Sequence, residues 1–149
     1  MRAWVLAITA VLLSALAVIP LHVFASAVTW QIAPHAIYPG ALVVTAVLMA
    51  LLAAVVAARR GVRASVLVLV GAALGGWLLF VSLGTTVNVL AGRVASASLV
   101  AQARSSFATP ASRRGTVRYV AYPALGSALG ILLGLAFRKA RAGERDSAR

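Results

Sequence analysis

The sequence predicts an all-α, polytopic membrane protein whose four transmembrane helices form a small bundle, and three observations carry that expectation. The 149 residues are 62% hydrophobic and 11% charged, with a mean hydropathy of +1.00. A water-soluble domain carries about 25% charged residues. The cations sit at the ends of apolar runs long enough to cross a bilayer, which takes about 20 residues. Within those runs, glycine and alanine recur at every fourth position, the spacing that lets lipid-embedded helices approach closely.

Arg2 and Arg59 bracket a stretch without formal charge that has room for two spans. Pro34 and Pro39-Gly40 punctuate it where a turn is expected. A first span is therefore predicted over residues 3–24 and a second over 40–58. The beginning also has features of a secretory signal: Arg2 as a positive start, Pro20 late in the run, and Ala25-Ser26-Ala27 as a cleavage-like site. Its apolar run, about 22 residues, exceeds the 7–15 usual for such signals, which favours a retained helix.

The basic loop Arg59–Arg63 leads into a third span, predicted over 64–83, and the uncharged run continues through Thr85, Thr86 and Asn88 to Gly92. Arg93, Arg104, Arg113 and Arg114, with Pro110, make the next segment too polar to cross. Its apolar residues do not sort onto one helical face, so an exposed, partly helical connection is expected over about 87–117. Arg118 and Arg138 bracket the fourth span, 119–137, with Pro123 in its first turns as an expected kink. Residues 1–137 thus form one transmembrane domain, and the basic tail 138–149 is expected to be solvated and disordered.

Fourteen Lys+Arg stand against two Asp+Glu. Both acids, Glu144 and Asp146, lie in the last six residues, so residues 1–143 carry no carboxylate side chain. The arginines cluster where they meet lipid headgroups rather than along a nucleic-acid footprint, and no nucleic-acid partner is expected. Arg59, Arg60, Arg63, Arg138, Lys139 and Arg141 are read as orientation and headgroup residues. With the N-terminus inside, the inner side holds these six with Arg2, Arg145 and Arg149; the outer side holds Arg93, Arg104, Arg113, Arg114 and Arg118. Nine against five favours cytoplasmic N- and C-termini. Trp30, Tyr38, Tyr119 and Tyr122 would then mark the outer interface, and Trp4 and Phe137 the inner one. Arginine outnumbers lysine 13 to 1, a codon bias of GC-rich genomes, which points to a bacterial inner membrane.

Gly71 and Gly75 on the third span, Gly126, Gly130 and Gly134 on the fourth, and Ala46, Ala50 and Ala54 on the second are the predicted helix-packing faces. Their partner is another span, a second copy or a different protein. Read as a docking surface, Gly126–Gly134 predicts that Gly130→Leu disrupts association and leaves insertion intact. "GAALG" from Gly71 and "GSALG" from Gly126 lie 55 residues apart. Their similarity reflects either an inverted repeat, as in transporters, or coincidence in a chain of few residue types.

The chemistry on offer is sparse. Without cysteine there are no disulfides or thiolate ligands. His22, near the outer end of the first span, and His35, in the loop, do not make a metal site without further ligands. A nucleophile lacks its base and orienting acid, paired carboxylates are impossible outside the tail, and no phosphate-cradling loop is present. No enzymatic activity, cofactor or metal is expected. Thr85, Thr86 and Asn88 form a possible polar site, read otherwise as helix-end caps or interhelical hydrogen bonds. These features favour a non-catalytic membrane protein that packs against partner membrane proteins, such as an accessory subunit or assembly factor. The alternative is a minimal homo-oligomeric transporter or anion-selective channel. From Tyr38 to Leu79, the order Pro39-Gly40, alanine-rich span, arginine loop and Gly76-Trp77 resembles the uncharacterised small four-span membrane proteins of actinobacteria. That resemblance implies a lineage and no activity.

Overall fold

The computed structural model describes residues 2–93 and 98–147. Among the described residues five helices and one short turn follow in order: α1 Arg2–Ile32, a 3-10 turn Pro34–Ala36, α2 Ile37–Arg60, α3 Val62–Leu90, α4 Leu99–Ser105 and α5 Pro110–Ser147. α1, α2, α3 and α5 are each long and apolar enough to cross a membrane. The architecture is the expected all-α bundle of four spans.

Helix ends depart from the expected span ends because hydropathy marks where the hydrocarbon stops, whereas a helix stops where its backbone is capped. α1 runs past residue 24 to Ile32, and α3 runs past 83 to Leu90. α2 ends at Gly61, whose φ of 79° an L side chain disfavours and whose N–H bonds the Ala57 carbonyl at 3.1 Å. Gly92, with φ 71°, closes α3 in the same way. α5 begins at Pro110 rather than 119. Proline suits the first position of a helix, and Thr109 and Ser112 exchange backbone-to-side-chain bonds of 3.1 Å in each direction as a capping box.

Two further expectations are corrected. The tail expected to be disordered continues α5 as helix through Ser147, with Arg149 outside the described residues. Alanine, arginine, lysine and glutamate are all strong helix formers, and no proline interrupts them. The connection expected over 87–117 is narrower, because its start belongs to α3 and its end to α5. What lies between is largely exposed and partly helical, as expected: α4 has no buried residue, and only Ser106 and, in α5, Thr116 are buried, while 94–97 lie outside the described residues. Pro123 accordingly sits deep within α5 and is fully buried, not in the helix's first turns.

The long helices form a ring in the order α1, α2, α5, α3. α1 and α3 run parallel, as do α2 and α5, and the two pairs oppose each other. Val18, Met49, Ala53, Val68, Ala72 and Leu79 fill the centre. These are small to medium side chains, as expected where association depends on close backbone contact rather than on expelling water. The large apolar residues point outward, Leu12, Leu51, Leu129 and Leu132 among them.

Candidate functional site

The two small-residue stripes on α2 and α5 face each other. Gly126, Gly130 and Gly134 lie against the backbone carbonyls of Ala46, Ala50 and Ala54, so close that a Cβ at any of the three would collide with the carbonyl oxygen. Gly71 and Gly75 of α3 lie instead on α1, against Val11, Ser14, Ala15 and Val18, a face the sequence reading did not mark. Gly76 turns the other way, onto the Tyr119 carbonyl of α5. That carbonyl has no helical donor, because the residue four positions on is Pro123, which lacks an N–H. A glycine facing a proline-freed carbonyl is a signal the sequence contained, but only the pairing of α3 with α5 reveals it.

The glycine contacts repeat in register. Gly71 meets the carbonyl of Val11, and Gly126 that of Ala46. Gly75 meets the carbonyl of Ala15, and Gly130 that of Ala50. A shift of 55 residues on α3 and α5 therefore accompanies a shift of 35 on α1 and α2, so the contacts exchange α1 with α2 and α3 with α5, each reversed in direction. The correspondence ends at Gly134, whose counterpart is Leu79, a core residue.

Thr85, Thr86 and Asn88 do not converge on a common point. Thr85 and Thr86 donate to the Val81 and Ser82 carbonyls at 2.9 and 3.0 Å, one turn back along α3. Asn88 donates to Gln102 Oε1 at 3.2 Å, and Gly84 leaves room for that glutamine. The same clasp includes Trp77, which donates to Ser106 Oγ at 3.4 Å, and Thr116, which donates to the Ser106 carbonyl at 2.8 Å. Together these bonds fasten α4 across the ends of α3 and α5.

A second polar cluster lies within the ring. His22 is buried, with Nδ1 3.0 Å from Thr45 Oγ1. The Thr45 hydroxyl donates its hydrogen to the Ala41 carbonyl at 2.6 Å. The His22 contact must therefore be donated by Nδ1–H, which leaves the lone pair on Nε2. The ring leans on Tyr119 at 5.7 Å between centroids, and Tyr119 leans on Phe80 at 5.6 Å. Tyr119, expected to mark the outer interface, thus packs inward because His22 offers it a ring to pack against. Trp4, Trp30, Tyr38 and Phe137 are exposed. Isolated polar residues at 22 and 45 were visible in the sequence, but their pairing depends on helix register. Among the described residues no three His, Cys, Asp or Glu side chains come together as a metal site.

At the opposite end, Arg59 and Arg60 close α2, Arg63 opens α3, and Arg138, Lys139 and Arg141 follow one another along α5. A guanidinium nitrogen of Arg138 reaches Gly61, and Arg141 lies over the Phe137 ring, 4.6 Å from its centroid. The six headgroup residues therefore share one end of the bundle, but only some of them lean on the α2–α5 seam. Comparison with family models, with curated proteins and with solved structures finds no match.

Proposed function

We propose that the chain is a non-catalytic integral membrane protein that acts by packing against another membrane protein, as an accessory subunit or assembly factor. The observation that supports this reading is the filled interior. The alanine and glycine stripes of α2 and α5 are spent on each other, and Val18, Met49 and Ala53 occupy the centre. Hydroxyls at Ser14, Ser26, Thr29 and Ser65 are bonded to carbonyls one turn back. A bundle whose inward faces are taken up by contact between its own helices works through its outer face. α1 is the least buried of the four spans, and Trp4, Ile8, Leu12 and Leu16 are exposed along it.

The reading extends to topology. The chain crosses the inner membrane of a bacterium with both termini in the cytoplasm, on the Lys and Arg asymmetry of nine against five. The test is mass spectrometry of the tagged protein purified from native membranes in a mild detergent, with a photo-crosslinking residue at Leu12. A stoichiometric second membrane protein crosslinked at Leu12 is the expected result. A clean monomer or homo-oligomer overturns the subunit reading.

A second reading, a homo-oligomeric transporter or anion-selective channel, is favoured by one observation. The direction-reversing exchange of α1 with α2 and of α3 with α5 is the arrangement that transporters build around a site near the bilayer midplane, and His22 and Thr45 lie between those pairs. Anion flux into liposomes that depends on His22 would move the function to transport.

A further inference from the structure

We propose that the inner end of the α2–α5 seam is a binding site for one anionic phospholipid, its phosphate held by Arg59, Arg138 and Arg141 and an acyl chain lying in the groove between the helices. The proposal concerns a lipid ligand and is independent of which protein, if any, docks on α1.

The groove arises from the way the seam ends. Through Gly126 and Gly130 the two backbones touch. After Gly134 the four-residue glycine stripe stops, Phe137 enters, and α2 terminates at Arg60 while α5 runs on. The helices part there around a groove of about 830 Å³, walled by Ala54, Ala58, Leu133 and Phe137. Among the described residues its only polar side chains are the three guanidiniums of Arg59, Arg138 and Arg141, all near one end. Val55 and Leu133, on its rim, are exposed on the lipid-facing side, at 50% and 68%. A slot that is apolar along its length and cationic at its mouth matches an amphiphile with its charge at one end. It does not match a free phosphate, which has no use for the apolar walls.

The charge sign is equally specific. Residues 1–143 contain no carboxylate side chain, and among the described residues no ion pair engages Arg59 or Arg138. Arg141 is held over Phe137 by a cation–π contact, and Arg138 reaches to the Gly61 turn. These placements draw two of the three groups toward the seam before any ligand arrives. Basic pockets between helices at a membrane face recognise anionic headgroups by this combination, with guanidinium–phosphate hydrogen bonds supplying geometry as well as charge. Arg60, Arg63 and Lys139 lie at the same end but do not line the groove, so charge alone does not define the site.

The test uses the full chain, purified in mild detergent and stripped of lipid. It is titrated with dioleoylphosphatidylglycerol, dioleoylphosphatidylcholine or inorganic phosphate and read by native mass spectrometry. One phosphatidylglycerol per chain should be retained in preference to phosphatidylcholine. Arg59→Gln, Arg138→Gln and Arg141→Gln should each weaken it about fivefold, whereas Arg63→Gln, which removes the same charge from the same end, should not. Ala58→Trp, which fills the groove and keeps all three arginines, should also lose the lipid. Melting temperatures measured without lipid, close to the parent's, establish that each variant is folded. Equal weakening by Arg63→Gln would mean diffuse surface attraction and overturn the site. So would equal retention of the two lipids, unchanged binding in Ala58→Trp, or displacement of the lipid by inorganic phosphate at matching concentration.

Discussion

Gly130→Ala adds one methyl group at the tightest point of the α2–α5 seam. Built on the glycine backbone, that Cβ would collide with the Ala50 carbonyl oxygen and lie 2.7 Å from its carbon and 2.8 Å from Ala50 Cα. Favourable carbon–carbon contact is at about 3.5–4.0 Å, so the axes must separate by about 1 Å. The obstructing atoms are backbone in the middle of a helix, and no side chain can swing aside. A gap of that size forfeits up to about half of each contact's ~0.1–0.2 kcal/mol. Spread over a few tens of atom pairs along the seam, the loss comes to ~1–3 kcal/mol, the usual range for overpacking. The assay is unfolding of the purified chain in mild detergent, by heat or by titration with a denaturing detergent. Gly143→Ala serves as control, because a Cβ at Gly143 meets nothing within 4 Å. Gly130→Ala should unfold earlier than the parent, and Gly130→Leu earlier still, both as monomers. Stability within ~0.5 kcal/mol of the parent, together with lost association to a partner, would refute the internal seam and restore the stripe as an external docking surface.

Gly76→Ala should cost a similar ~1–3 kcal/mol, since its Cβ would strike the Tyr119 carbonyl; a melting temperature equal to the parent's would show that α3 and α5 do not approach there. A double-mutant cycle of His22→Leu and Thr45→Val should give a coupling of ~0.6 kcal/mol, in the range measured for hydrogen bonds between membrane helices, and zero coupling would remove the 3.0 Å bond from the account. Gln102→Ala, which breaks the bond to Asn88, should speed hydrogen exchange across Leu99–Ser105 while leaving the Met49 region protected. Unchanged exchange would mean that Trp77 and Thr116 hold α4 without it.

The parts of this molecule legible in the chain are those set by solvent and by backbone chemistry. Four apolar runs cross because each is longer than the hydrocarbon is thick, and no partner helix is needed to see it. The small-residue stripes at Gly126–Gly134 and Ala46–Ala54 were visible for a similar reason, since a four-residue period marks a helix face wherever the helix lies. Helix ends were less legible. Hydropathy senses the bilayer, but α5 starts at Pro110 and continues into the charged tail as far as Ser147 because capping and propensity favour it there. Thr85, Thr86 and Asn88 stood out as polar residues past a span, yet nothing local to them reveals Gln102, fourteen residues beyond Asn88.

Which face meets which face is a separate question, and periodicity cannot answer it. Gly71 and Gly126 open nearly the same five-residue pattern, yet one glycine rests on α1 and the other on α2. The choice depends on the order of the helices round the ring and their relative direction. Likewise, Arg59, Arg138 and Arg141 are ordinary flanking cations in the chain, as are Arg60, Arg63 and Lys139. Three of the six share a groove because α2 and α5 run parallel and part after Gly134. Membership in the bilayer follows from composition, which sums over residues one at a time. Neighbours across the bundle follow from contacts between residues tens of positions apart, and those exist only once the helices have packed.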